Sequence, residues 1–163
     1  VTFATDALVA QPLTGQLSTV SALIRELAIA PAEEVGSTNT GDAFYRAADE
    51  LTSVRHSDEA RKVLVILTDG LATAPDEAPA EYARNAAAAA KAQDIEVYAI
   101  GLGDRVNMDF VRDIASSPDT AYEALSIADI NRIYETITAS ICEDGAAVIE
   151  IIPKTDTNFE SLR

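Results

Sequence analysis

The sequence has little of what several common kinds of site require. Its only cysteine, Cys142, leaves no disulfide pair within these residues. Its only histidine is His56, so a histidine-based metal site or a Ser-His-Asp triad would depend on that one residue. Twelve Lys and Arg stand against 27 Asp and Glu, a net charge of −15. Nucleic acids and anionic membrane surfaces need clustered basic residues, so we expect neither as a partner.

Long apolar runs are also missing, because none approaches the ~20 residues of a membrane span. With 163 residues, 48% of them hydrophobic, the chain is expected to form one domain with a real core. Cys142 falls in an apolar helical pattern, which predicts a buried structural thiol. His56 lies in a polar segment, 53–59, which predicts a solvated loop residue.

The hydrophobic periodicity predicts an α/β fold. Residues 1–11 alternate around a turn signal, as in a hairpin. From residue 62 strands and helices alternate, which is typical of a parallel sheet with helices on its faces. The predicted strands are 62–68, 95–102, 121–124 and 147–152, and the predicted helices are 16–29, 40–54, 78–93, 107–116 and 126–142.

One carboxylate stands directly after a buried strand. The segment 62–70, KVLVILTDG, ends on Asp69 and a glycine, and open α/β sheets bind ligands at the carboxyl ends of such strands. A second polar segment, GSTNTG at 36–41, offers the hydroxyls of Thr38 and Thr40. Carboxylate and hydroxyl oxygens suit Mg²⁺, which also retains several waters. Taken by itself, Asp69 is more readily interpreted as a turn or helix-capping residue. The neighbouring hydroxyls are what favour a metal site.

Several ordered blocks resemble the von Willebrand factor A domain, which integrins carry as an inserted domain. The blocks span about 1–142 and are VTFATDA at 1–7, GSTNTGDAF at 36–44, VLVILTDG at 63–70, VYAIGLG at 97–103, DFVRDIAS at 109–116 and the closing helix 126–142. The resemblance implies a three-layer, Rossmann-like doubly wound sheet, mostly parallel with one antiparallel edge strand. It also implies a metal-ion-dependent adhesion site. Thr38 matches its threonine and Asp69 its last aspartate, and Thr40 is the second choice for the threonine. The cation implied by the resemblance is Mg²⁺, with Mn²⁺ or Ca²⁺ as alternatives.

The first element of that family site, Asp-x-Ser-x-Ser after the first strand, has no match where it is expected. Val1 to Phe3 resemble the family's second strand, so the fold is expected to be incomplete at its amino end. The missing strand would separate the strands matching 1–4 and 62–68, leaving two unpaired sheet edges. We expect a longer native protein, or another segment or chain in the gap. Without the missing element, this fragment by itself would lack the metal.

Residues 143–163 follow the predicted domain, 1–142, as a strand and linker. A second interpretation is a circular permutation, in which strand 147–152 and the sequence Asp156-x-Asn158-x-Glu160 imitate the missing element. Pro153 and the gap before Asp156 favour the linker.

The family resemblance implies a protein-binding or adhesion module that captures a ligand carboxylate through a divalent cation, at the cell surface or outside the cell. A cytoplasmic location is the alternative. A purely structural domain with an inactive site is a second hypothesis. An enzyme is not expected: Gly101-Leu102-Gly103 lacks the third glycine of a dinucleotide loop, and Leu67 stands where a haloacid-dehalogenase phosphatase has its nucleophile.

Overall fold

The computed structural model describes residues 1–27, 37–142 and 146–153, the last range by its backbone alone. The strands are β1 (Thr2–Phe3), β2 (Ala7–Leu8), β3 (Arg61–Thr68), β4 (Ile95–Leu102), β5 (Ala121–Ala124) and β6 (Ala146–Pro153). The helices are α1 (Leu17–Glu26), α2 (Thr40–Leu51), α3 (Pro79–Lys91), α4 (Met108–Ile114) and α5 (Ile127–Cys142), with one 3₁₀ turn at Pro118–Thr120.

The strands form one sheet in the order β2-β1-β6-β3-β4-β5. Each neighbouring pair is parallel except β1 and β2, the predicted hairpin, which pair antiparallel at one edge. This arrangement confirms the predicted mostly parallel α/β sheet with one antiparallel edge strand.

Strand β6 lies between β1 and β3. It pairs with β3 from Arg61↔Ala146 to Ile66↔Ile151, and with β1 at Phe3↔Pro153. This is the place in the sheet where the sequence leaves a strand unaccounted for, and the chain's own carboxy-terminal segment occupies it. The predicted boundary between 1–142 and 143–163 stays a prediction. The strand predicted within 143–163 is part of the sheet, as β6.

Side chains of the central strands alternate between two cores, as the period of a strand requires. Leu64 and Ile66 of β3 enter a core shared with α2, α3 and α4. Val63, Val65 and Leu67 enter the opposite core, which α5 covers with Ile133, Ile137 and Ile141. The sheet therefore lies between two helical layers, which gives the predicted three-layer architecture.

The alanine run of α3 packs into the core beside α2 and the sheet, because alanine has a high helix propensity and little bulk. The buried face consists of Ala83, Ala86, Ala87 and Ala90. Pro79 occupies the first turn, where its missing N–H costs no hydrogen bond.

Some local predictions are wrong, and others hold only in part. Cys142 is exposed, because it follows Ile141 of the buried stripe and so points about 100° around the helix. His56 is half-buried, and among the described residues no hydrogen bond reaches its enclosed Nδ1. Helix α2 ends at Leu51, which leaves Val54 exposed. Helix α1 has the expected amphipathic pattern, but it buries none of its residues.

Candidate functional site

Asp69 lies at the edge of the sheet where the parallel strands β1, β6 and β3 all end. It is half-buried and follows Thr68, the last residue of β3. The Thr68 hydroxyl donates to the carbonyl oxygen of Gly70 at 2.8 Å, which fixes the turn around Asp69. Pro153 of β6 pairs with Phe3 of β1 at this same edge. The position agrees with the rule that ligands of open α/β sheets bind beyond the carboxyl ends of the strands.

The polar segment containing Thr38 is hydrogen-bonded to the loop after β3. The Thr38 N–H donates to the Thr73 hydroxyl at 2.7 Å. The Thr38 carbonyl oxygen accepts from the N–H groups of Thr73 and Ala74 at 3.0 and 3.3 Å. Thr38, itself half-buried, is thereby tied to the loop that begins with Asp69.

The same segment is bonded to the loop after β1 on its other side. The Asn39 N–H donates to the carbonyl oxygen of Ala4 at 2.7 Å, and its Nδ2 donates to that of Thr5 at 3.3 Å. Strand β6 separates β1 from β3, so the loop after β1 and the loop after β3 follow strands that are about 10 Å apart. Residues 38 and 39 therefore bridge the loops on either side of β6, and the structure brings the two predicted segments to one edge of the sheet.

Thr40 begins α2 and is fully buried, at 0% exposure. Its Oγ1 finds no hydrogen-bond partner among the described residues. Leaving a buried hydroxyl unpaired costs about 1–3 kcal/mol, and such atoms commonly mark an ion or a water. This orphan oxygen lies two residues from Thr38, in the segment predicted to bind metal.

The first turn of α2 is stabilised by two side chains outside the predicted metal site, Asn39 and Asp42. Asn39 caps the helix, since its Oδ1 accepts from the Asp42 N–H at 3.1 Å. Asp42 accepts from Asn39 Nδ2 and from the Tyr82 hydroxyl, both at 2.7 Å. The bond to Asp42 raises the pKa of Tyr82 to about 12. The Asn39-x-x-Asp42 spacing is a helix-start signal that was available in the sequence, but nothing in it points to Tyr82.

The oxygen donors at this edge of the sheet are of the type that hard cations bind. Within the described ranges, no group of three or more His, Cys, Asp or Glu side chains is placed to hold a metal ion. A cation here would rest on Asp69, threonine hydroxyls and water, which suits Mg²⁺ better than a soft metal. Asp42 already accepts two hydrogen bonds, one on each oxygen. The sequence Asp156-x-Asn158-x-Glu160 lies outside the described residues.

The family is shown by comparison with known sequences. Residues 1–136 match the von Willebrand factor type A domain. The chain belongs to that family. As a von Willebrand A domain it has relatives in collagen alpha-1(XXI) chains, at 29% identity in Xenopus laevis and 30% in Homo sapiens, each over 132 residues. These matches cover 78% of this chain but only 13% of each collagen.

Solved structures show the same fold. Proximal thread matrix protein 1 of the mussel byssus, in a structure with a zinc-occupied MIDAS motif, gives a TM-score of 0.69 at 22% identity. The match covers 86% of this von Willebrand A domain and 33% of the byssus chain. A second crystal form gives a TM-score of 0.67 at 20% identity, with the same coverage. None of the helices within the described ranges is long and apolar enough to cross a membrane.

Proposed function

We propose that this von Willebrand A domain is an adhesion module that binds a protein ligand through a divalent cation. The observation that carries the proposal is the bridging segment at residues 38 and 39. It is bonded to the loops after β1 and β3, so Thr38 and Asp69 belong to directly connected loops at the carboxyl edge of the sheet. Oxygen donors from separate loops at that edge are what a site for a hard cation requires.

Asp69 and Thr38 are the residues we assign to the cation, and the buried Thr40 hydroxyl ranks behind them. Mg²⁺ is the proposed ion, with Mn²⁺ and Ca²⁺ as alternatives of the same hard-oxygen chemistry. When bound, such an ion offers coordination positions that a ligand carboxylate can take. It would also offset locally a net charge of −15, which otherwise repels an acidic partner.

A matrix or cell-surface location is part of the proposal. Support comes from the relatives, which are collagen chains and a byssus thread matrix protein. This chain spans 13% of the collagens, so the partner is inferred from the site rather than transferred from them. A structure of the byssus protein has a zinc-occupied MIDAS motif, which supports a divalent metal in a domain of this fold.

Binding is favoured over catalysis by the surroundings of the two enzyme-like motifs. Leu67, two residues before Asp69, is buried in a core and supplies no nucleophile. At Gly101, a Cβ would lie 2.9 Å from the Val106 side chain, and Gly103 has a φ of +84°. Packing and turn geometry therefore account for both glycines without a nucleotide.

A structural domain without metal is the second candidate. It is favoured by the small number of carboxylates: Asp69 is the single assigned acidic ligand, and the described residues contain no cluster of metal-binding side chains. The two candidates differ in whether the intact domain binds a divalent cation.

The test is calorimetric titration of the full chain with Mg²⁺ and Mn²⁺, before and after Asp69→Ala. We expect the substitution to weaken binding by more than about tenfold, since even groups that only support a metal ligand often contribute that much. Asp58→Ala is the matched control, because this exposed acid precedes the opposite end of β3. Wild-type affinity in Asp69→Ala would refute the assignment, and a wild-type domain that binds no cation would favour the structural candidate.

A further inference from the structure

The first turn of α2 is held in place by a side chain from another helix. Tyr82 of α3 donates its hydroxyl to Asp42 Oδ1 at 2.7 Å. Its ring lies over Gly41, where an added Cβ would fall only 2.2 Å from the ring carbon Cδ1. The contact therefore depends on glycine at 41 and on an acceptor at 42.

The contact continues from Asp42 to the proposed cation site. The second carboxylate oxygen of Asp42 accepts from Asn39 Nδ2 at 2.7 Å, and Asn39 in turn is bonded to Ala4 and Thr5. A chain of hydrogen bonds thus runs from α3 to the loop after β1. Asn39 is its central member, and its neighbours in sequence are Thr38 and Thr40.

We propose that Tyr82 is a positioning residue for the cation site. It acts through Asp42 and Asn39, which fix the backbone of residues 38–40 and so the place of the Thr38 hydroxyl relative to Asp69. The inference rests on the proposed function. Its physical basis is that metal ligands must hold their distances within about 0.2 Å, so a small movement of the segment weakens coordination.

Tyr82→Phe tests the proposal because it keeps the ring over Gly41 and removes only the hydroxyl. Asp42 then loses one of its two side-chain donors and holds Asn39 less firmly. We expect the affinity of the full chain for Mn²⁺ to fall about tenfold in calorimetry, the usual effect of removing a group that orients a metal ligand. Tyr45→Phe is the matched control, since its ring lies 5.8 Å from that of Tyr82, while among the described residues its hydroxyl makes no hydrogen bond.

Thermal unfolding in EDTA separates positioning from general stability. A merely structural role would lower the metal-free Tm and leave the affinity of the folded protein unchanged. Gly41→Ala is a second variant, which displaces the ring and keeps the hydroxyl, and it should also weaken Mn²⁺ binding. Unchanged Mn²⁺ affinity in Tyr82→Phe would overturn this inference alone. A wild-type chain that binds no Mn²⁺, or an Asp69→Ala variant that binds it normally, would overturn the proposed function and this inference with it.

Discussion

Glu50 is a buried carboxylate that joins the end of α2 to two other parts of the chain. It is 5% exposed and accepts from the Leu13 N–H at 2.7 Å. Arg55 donates to both of its oxygens, Nε and Nη2 each at 2.7 Å. A buried acid with this many donors is stabilised in its charged form, and the hydrogen bond from Arg55 is the main reason that the pKa of Glu50 is lowered.

The lowered pKa of Glu50 predicts an acid-sensitive contribution to stability. Because the folded pKa is below the ordinary value of 4.5, the contribution is complete above pH 4.5 and is lost as pH falls through the folded pKa. Glu50→Gln should lower the unfolding free energy at pH 7 by about 1–3 kcal/mol and flatten its decline in acid. Urea denaturation at pH 7, 5 and 3.5 measures both effects. The exposed Glu59→Gln is the control, and an acid decline of equal steepness in Glu50→Gln would contradict the assignment.

Single residues of the site differ in how far they could be predicted. Asp69 stands at a strand end and Thr38 in a polar turn, so local patterns indicate both segments, and the family resemblance places Thr38 before Thr40. Tyr82 does not, because its partner Asp42 is 40 positions away and only the packing of α3 on α2 brings them together. The exposure of Cys142 differs from its predicted burial for another reason: one step along a helix turns a side chain from the core to solvent.

Most elements were predictable from periodicity, since burial on one face or on both leaves a mark in the sequence. Strands 95–102 and 121–124 have the predicted bounds. Helix ends were harder. Helix α2 ends at Leu51 and the Thr52 hydroxyl donates back to the Ala48 carbonyl oxygen at 2.8 Å, whereas the apolar stripe alone suggests a continuation to Val54.

The buried alanine face of α3 allows a prediction of how substitutions in this helix change the stability of the domain. Ala87 is fully buried, whereas Ala88 next to it is exposed, so the same residue type occurs once on the buried face and once on the solvent face of the helix. Ala87→Leu should destabilise the domain by about 1–3 kcal/mol, because a larger side chain forces the helix away from its neighbours. Ala88→Leu should be nearly neutral. The midpoint of urea denaturation measures both, and equal midpoints would show that α3 is not closely packed.

The order of the strands is a property of the whole molecule, and the sequence predicted it only in part. Alternating strands and helices indicate a parallel sheet, but periodicity does not say which strands are neighbours. The family resemblance supplied the place of a gap, between the strands matching 1–4 and 62–68. In the sequence, β6 is visible only as an apolar run ending at Pro153, and the features around it favour a strand leading into a linker over a strand that fills the gap.

The central position of β6 predicts that the sheet depends on it. Ending the chain at Cys142 would remove β6 and leave backbone groups of β1 and β3 unpaired. Along β3 alone, six residues pair with β6. Each buried group without a partner costs about 1–3 kcal/mol, and a domain is stable by only about 5–15 kcal/mol. We expect chain 1–142 to lose cooperative unfolding in circular dichroism and to aggregate through its open edges, whereas chain 1–153 should unfold cooperatively. If chain 1–142 unfolds at the same urea concentration as the full chain, then the pairing of β6 with β1 and β3 contributes nothing to the stability of the domain.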